Sequence, residues 1–210
     1  MIRSPGNQNG RSAMIIETQL NDGIPVCIRP VEKDDEQRIK DGIAQLSPQS
    51  RYLRFFSGMR EVPPKVIDAL ITVDGHDHIA WGALRTDLPG TPALGVVHAF
   101  RDSDDPGTAE FSVAVLDEYH GRGLARLMCA VLLLDCAREG LVHLAVNILP
   151  ENRPAIGLVR SLGAQHTALE AGVSEFEIDI ADALVSLRAE TEVPGLGAIF
   201  SAFEQGDPLN

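Results

Sequence analysis

The stretch from Glu110 to Glu139 constrains the fold more than any other part of the chain. Glu110-Phe111-Ser112-Val113-Ala114-Val115 reads as a strand, and Leu116-Asp117-Glu118-Tyr119 leads from it into the turn His120-Gly121-Arg122-Gly123-Leu124-Ala125. A helix from about Gly123 to Glu139 follows, because Leu124, Leu127, Met128, Val131 and Leu134 recur at helical spacing and Gly140 stops it. A glycine turn between strand and helix exposes several backbone N–H groups at once. With the helix dipole, those donors form an anion site. Gly121 and Gly123 allow close approach of the backbone, and Arg122 and Arg126 add positive charge. The pattern is neither the dinucleotide fingerprint GxGxxG nor the triphosphate loop GxxxxGK(S/T). The turn alone would equally suit a tight connection with no ligand, so the rest of the chain must decide.

Residues 1–13, rich in Gly, Asn, Ser and Arg, read as a disordered leader. Residues 14–20 and 24–29 read as two strands around the hairpin turn Asn21-Asp22-Gly23. Asp34-Asp35-Glu36 opens a helix to about Leu46, Ser47-Pro48 starts a second, and Pro63-Pro64 introduces a third to about Leu70. Strands follow at Ile79–Leu84, Gly95–Arg101 and Ala109–Leu116. Beyond the long helix, Val142, Leu144, Val146 and Ile148 alternate as a strand. Asn152 caps a short helix with Pro154 in its first turn, ending at Gly163, and Phe176, Ile178 and Ile180 alternate in a late strand. This order predicts one α/β (α+β) domain over residues 14–192, a mixed, mainly antiparallel central sheet flanked by helices. Residues 193–210 read as a C-terminal extension, docked in part or mobile.

The chain has 18 basic and 30 acidic residues and a net charge of -12. That charge repels nucleic acid and anionic membranes, and neither is an expected partner. It suits a cationic acceptor such as an amine or a lysine side chain, and equally serves solubility. No apolar run reaches the length of a membrane span, and the N-terminus lacks the apolar core of a signal peptide, so the chain reads as cytoplasmic. Cys27, Cys129 and Cys136 form no CxxC pair, and His76, His78, His98, His143 and His166 show no metal-ligand spacing. No metal is expected.

The turn resembles the acetyl-CoA motif of the GNAT family, the Gcn5-related N-acetyltransferases, which reads Arg/Gln-x-x-Gly-x-Gly/Ala. Gly123 and Ala125 match it, and His120 stands in place of the usual Arg or Gln. A histidine still donates to phosphate from a ring N–H, with full charge only near or below pH ~6.5. Ile28-Arg29-Pro30 resembles the family's opening strand, and Asn152-Arg153-Pro154-Ala155 through Leu162-Gly163-Ala164 resembles its later strand–helix unit beside the coenzyme. The resemblance spans roughly residues 24–180 and is strongest to the catalytic domain of Pat-type bacterial protein lysine acetyltransferases. Leu46-Ser47-Pro48-Gln49-Ser50-Arg51-Tyr52-Leu53-Arg54-Phe55-Phe56, Val73-Asp74-Gly75-His76-Asp77-His78-Ile79-Ala80 and Ala109-Glu110-Phe111-Ser112-Val113 carry that likeness.

The resemblance implies acetyl-CoA as co-substrate and direct attack of a primary amine, such as a protein lysine, on the thioester. It implies that Glu110 takes the amine's proton. It also places Val113, Ala114 and Val115 along the pantetheine arm, where one backbone N–H meets the developing oxyanion. His120, Gly121, Arg122, Gly123, Leu124, Ala125 and Arg126 then hold the pyrophosphate, and Asn152 contacts the coenzyme as well as capping its helix. Val159 occupies the place of the family's tyrosine acid, and Ser161 is a neighbouring candidate. Arg51, Tyr52, Arg54, Phe55 and Phe56 form the helical wall of the acceptor groove, where an arginine could orient a carboxylate or a loop. Two other functions stay open on these residues: an acyl-CoA sensor or scaffold with little catalysis, and an acetyltransferase of small amines. Oligomeric state is not indicated.

Overall fold

The computed structural model describes residues 14–57, 62–190 and 193–205. β1 (Ile16–Gln19) and β2 (Pro25–Pro30) pair antiparallel around the expected turn at Asn21-Asp22-Gly23. β3 (His78–Arg85), β4 (Ala93–Arg101) and β5 (Thr108–Val115) extend the sheet as an antiparallel meander. β6 (His143–Ile148) joins β5 in parallel, and β8 (Val173–Asp179) separates it from β7 (Gln165–Glu170) at the sheet edge. The order is β1-β2-β3-β4-β5-β6-β8-β7. The β5–β6 pair is the one parallel pair among the described strands, so the expected mixed, mainly antiparallel sheet in a single α/β domain is what forms.

Side-chain alternation divides the helices between two faces. Ala80, Val96 and Phe100 pack with α1 (Glu36–Gln45) and α3 (Pro64–Ile71) through Ile39, Ile67 and Leu70, and α2 (Pro48–Phe55) lies against β5 on that side. Ile79, Trp81, Val97, Ala99 and Phe111 join the larger core around α4 (Leu124–Arg138). Ten of the fifteen residues of α4 are buried, the pattern of a helix enclosed on all sides. α5 (Arg153–Ser161) follows β6 and buries Val159.

The structure departs from the sequence expectations in the last third of the chain. The late strand ends at Asp179 and does not continue through Ile180. The Asp179 carboxylate accepts from the Asp182 N–H at 2.9 Å and caps α6 (Ile180–Arg188). β7 is a further addition: five of its six residues are exposed, so apolar alternation gives no sign of it. The leader expected over residues 1–13 lies outside the described residues. Of the segment beyond residue 192, residues 193–205 carry α7 (Leu196–Gln205), which buries Leu196, Ile199, Phe200 and Phe203 beside α4 and β1. Among the described residues no helix is long and apolar enough to cross a membrane.

Candidate active site

β5 and β6 pair only at their beginnings, Thr108 to Glu110 against His143 to Ala145. Beyond that point β5 keeps its ladder to β4 through Val115, while its other edge pairs with no described strand. Buried backbone N–H and C=O groups need partners, and an opened ladder offers them to an extended ligand. Val113, Ala114 and Val115 lie on this stretch. At its end His120 Nε2 donates to the Val115 carbonyl at 2.9 Å, so the ring of His120 already serves the strand.

Two helices begin just past the carboxyl ends of the two diverging strands. α4 follows β5 and α5 follows β6. Crevices at the carboxyl ends of parallel strands collect helix N-termini and their positive dipole ends. Gly123 is the N-cap of α4 at φ +86°, with no side-chain cap, and Gly121 sits at φ +72°. Both are left-handed positions that favour glycine. A Cβ on Gly123 would lie 2.6 Å from Asn21 Oδ1. The Asn21 N–H also donates to the Arg122 carbonyl at 3.0 Å, so the β1–β2 turn buttresses the glycine turn. Leu124 is buried and Ala125 half-buried; their side chains pack inward. Asn152 caps α5, its Oδ1 accepting from the Ala155 N–H at 3.2 Å.

The two arginines of the turn are not free charges. Arg122 Nη1 is 2.6 Å from Asp22 Oδ2, and its guanidinium lies 5.5 Å from the centre of the Tyr119 ring. Arg126 donates from Nε to Glu190 Oε2 at 2.5 Å, from Nη2 to Glu190 Oε1, and from Nη1 to Ser161 Oγ at 2.6 Å. Ser161 in turn donates to the Leu158 carbonyl. Val159 belongs to the core. These partners were not visible in the sequence. Asp22 is 100 positions from Arg122 and Glu190 is 64 from Arg126, with no local pattern joining them.

Glu110, Ser112 and Ala114 share the face of β5 that looks toward the early helices, as alternation requires. Glu110 is exposed, and its carboxylate has no hydrogen bond or ion pair among the described residues. Arg54 of α2 donates from Nη2 to Ser112 Oγ at 2.8 Å. Burial pushes its guanidinium below the ordinary value, and Glu110 opposes that shift. Across the ladder from Ser112 sits His98, fully buried and 3.0 Å from His78 Nε2 through its Nδ1. His78 Nδ1 donates to the Thr72 carbonyl at 2.7 Å. Sequence reasoning considered these histidines only as metal ligands. His78 pairs with Phe100 and His98 with Ala80 in the β3–β4 ladder, so the two histidines are diagonal neighbours on one face of the sheet. Among the described residues no group of three His, Cys, Asp or Glu is placed to hold a metal ion.

The family model of the acetyltransferase (GNAT) domain matches residues 26–165. The chain is 28% identical over 144 residues to acetyltransferase PA5475 of Pseudomonas aeruginosa, covering 69% of this chain and 77% of that protein. It is 26% identical over 165 residues to acetyltransferase Pat of Mycolicibacterium smegmatis, covering 79% of this chain and 49% of that protein. The chain thus spans about half the length of Pat. The crystal structure of the GNAT domain of S. lividans PAT superposes with a TM-score of 0.72 at 23% identity, covering 84% of this chain and 99% of that one. A strand pair opened at its carboxyl end, a glycine turn capping a buried helix, and a family match over this whole region agree: the chain belongs to the GNAT acetyltransferases, a family of acyl-transfer enzymes.

Proposed function

We propose that the chain moves the acetyl group of acetyl-CoA to a primary amine, with Glu110 as general base. The opened β5–β6 ladder, with two helix N-termini beyond it, is the observation that carries this reading. The pantetheine arm pairs with the free edge of Val113, Ala114 and Val115. The pyrophosphate lies on the turn from His120 through Gly121, Arg122, Gly123, Leu124 and Ala125 to Arg126, and Asn152 borders it from the head of α5. Glu110 takes a proton from the bound ammonium, directly or through water. The amine nitrogen then bonds to the acetyl carbon as the C–S bond breaks, and the electron pair leaves on the CoA sulfur. A β5 backbone N–H stabilises the oxyanion. Val159 has no proton to give, so the thiolate draws one from solvent or from the product ammonium. Direct attack of this kind requires no metal. The acidic net charge favours a cationic acceptor over nucleic acid or an anionic membrane, and fits a cytoplasmic protein.

The test is acceptor-dependent release of CoA thiol from acetyl-CoA, measured with panels of amines and lysine peptides. Glu110→Gln is expected to lower kcat by about 100-fold or more and to alter the pH profile. A variant with unchanged turnover and pH profile would refute the base assignment. The buried Val159 and the engaged Arg122 and Arg126 favour one competing reading, an acyl-CoA sensor. That reading wins if the coenzyme binds tightly and no amine releases thiol.

A further inference from the structure

Burial normally pairs an arginine with an acid. In this acid-rich chain Arg29, Arg85, Arg101, Arg122, Arg126 and Arg188 each lie against a carboxylate. Arg54 does not. Its guanidinium lies 5.0 Å from the centre of the Phe55 ring and donates to the neutral Ser112 hydroxyl. The nearby carboxylate of Glu110 acts on it without ion-pair contact. A half-buried cation left this way is poised for an anion from outside the chain.

His98 supplies a second, independent observation. The Thr72 carbonyl can only accept, so His78 Nδ1 carries the hydrogen between them. In the neutral pair His78 Nε2 then holds a lone pair, and His98 Nδ1 donates to it. That leaves His98 Nε2 a bare acceptor, and it is buried with no partner among the described residues. Burial first, then Arg54 and His78, holds His98 well below its ordinary value, so the ring is neutral.

Arg54, Arg38 and His98 are the polar lining of one small cavity of about 50 Å³ between α1, α2 and the β4–β5 strands, whose other walls are mainly apolar, Ile39, Leu70 and Leu94 among them. A cavity of that size has room for about four waters, or for one small polar head group. The guanidinium calls for an anion and Nε2 calls for an N–H donor. One head group that offers both at short separation is that of an amino acid. Glu110 is two residues from Ser112 on the same strand face, about 7 Å away between Cα atoms, and lies outside the lining of the cavity.

We propose that Arg54 binds a carboxylate of the acceptor, and that the acceptor is an amine carrying that carboxylate one or two carbons away, as amino acids do. This rests on the acetyltransferase reading above. Arg54 holds the carboxylate, His98 Nε2 accepts from the amino group, and Glu110 removes its proton. The nitrogen bonds to the acetyl carbon, the C–S bond breaks, and the electron pair leaves on the CoA thiolate.

The experiment follows thiol release from acetyl-CoA on the full chain and on Arg54→Gln and Arg54→Lys. The acceptors are amino acids paired with their own carboxamides, together with an end-blocked lysine peptide. Calorimetric CoA binding by each variant shows that it is folded, and calorimetry with the same acid–amide pairs reads binding apart from turnover. The expected result is a kcat/KM about tenfold or more higher for acid than for amide, carried in KM. That ratio should fall toward one in Arg54→Gln and persist in part in Arg54→Lys. Equal use of acid and amide, or preferential use of the blocked peptide, would overturn the carboxylate subsite and leave the acetyltransferase reading standing. Acid-selective, Arg54-dependent binding with no thiol release would do the reverse. An Arg54-dependent preference for succinyl-CoA over acetyl-CoA would move the carboxylate to the acyl donor and overturn the acceptor assignment.

Discussion

Arg126 donates to both carboxylate oxygens of Glu190 from the first turn of α4, the helix end proposed to meet the coenzyme pyrophosphate. Both side chains are about three-quarters shielded, so their attraction is stronger than that of a surface pair. A phosphate arriving at the turn must share or displace Glu190.

Glu190→Gln removes that competing anion. CoA is expected to bind about three- to tenfold more tightly to this variant at low ionic strength, with the gain shrinking as salt is added. Arg126→Gln should weaken binding by a similar factor. Calorimetric titration with CoA measures both. An unchanged dissociation constant in both variants would mean that Arg126 is a structural partner of Glu190 and nothing more.

The contrast between Gly123 and Glu190 shows what the sequence could and could not disclose. The glycine turn, the apolar helix behind it and the Asn152 cap are local patterns, so their chemistry is written within a few consecutive residues. The partners of the turn's arginines come from the first hairpin and from the segment after α6. Nothing in the spacing of Asp22 or Glu190 marks them. The same limit applies to β8 and α6. Alternation of Phe176, Ile178 and Ile180 is real, but the capping carboxylate of Asp179 ends the strand within it. Arg54, His98 and Ser112 meet only because α2 folds over the β4–β5 ladder.

Gly123→Ala and Gly121→Ala separate two costs at the turn. Each forces an alanine into left-handed backbone, at φ +86° and +72°, which costs about 1–2 kcal/mol. The Gly121 Cβ enters open space, whereas that of Gly123 meets Asn21 Oδ1 at 2.6 Å. Urea unfolding should therefore show the larger loss for Gly123→Ala, and adding Asn21→Ala should recover only the steric part. Equal losses for the two glycines would contradict the close approach.

Asp117 ties the start of α2 to the segment entering the turn. Its carboxylate accepts from Ser47 Oγ at 2.8 Å, Ser50 Oγ at 2.7 Å and the Ser47 N–H at 3.1 Å. Burial raises its pKa, but these bonds and His120 outweigh burial and bring it from 3.8 down to about 2. A depressed carboxylate contributes its stability above the unfolded value, and that contribution is lost as pH falls from about 4 through about 2. Asp117 is exposed, so solvent screening limits the contribution to about 1 kcal/mol. Asp117→Asn should lower the unfolding free energy from urea titration at pH 7 by that amount, with the difference from the parent vanishing below about pH 2. A difference that survives there would assign the effect to packing.

The buried pair His78 and His98 should set the acid sensitivity of the fold. Burial is the first cause holding both rings below their ordinary value of 6.5. Asp74 and the Thr72 carbonyl oppose the shift at His78, while Arg54 and the neighbouring ring add to it at His98. The native state therefore keeps both neutral where the unfolded chain takes up protons. Stability is fully present above about pH 6.5 and falls as pH drops below it, by up to about 1.4 kcal/mol per pH unit for each histidine. Carboxylates of ordinary pKa contribute little until lower pH, so histidines dominate the interval from pH 6.5 to 5. His98→Phe keeps a flat ring beside His78 and Phe100, which stack on the native imidazole, and removes one of the two titrations. Urea unfolding across that interval should show a slope about half that of the parent. An undiminished slope would place the acid sensitivity elsewhere in the molecule.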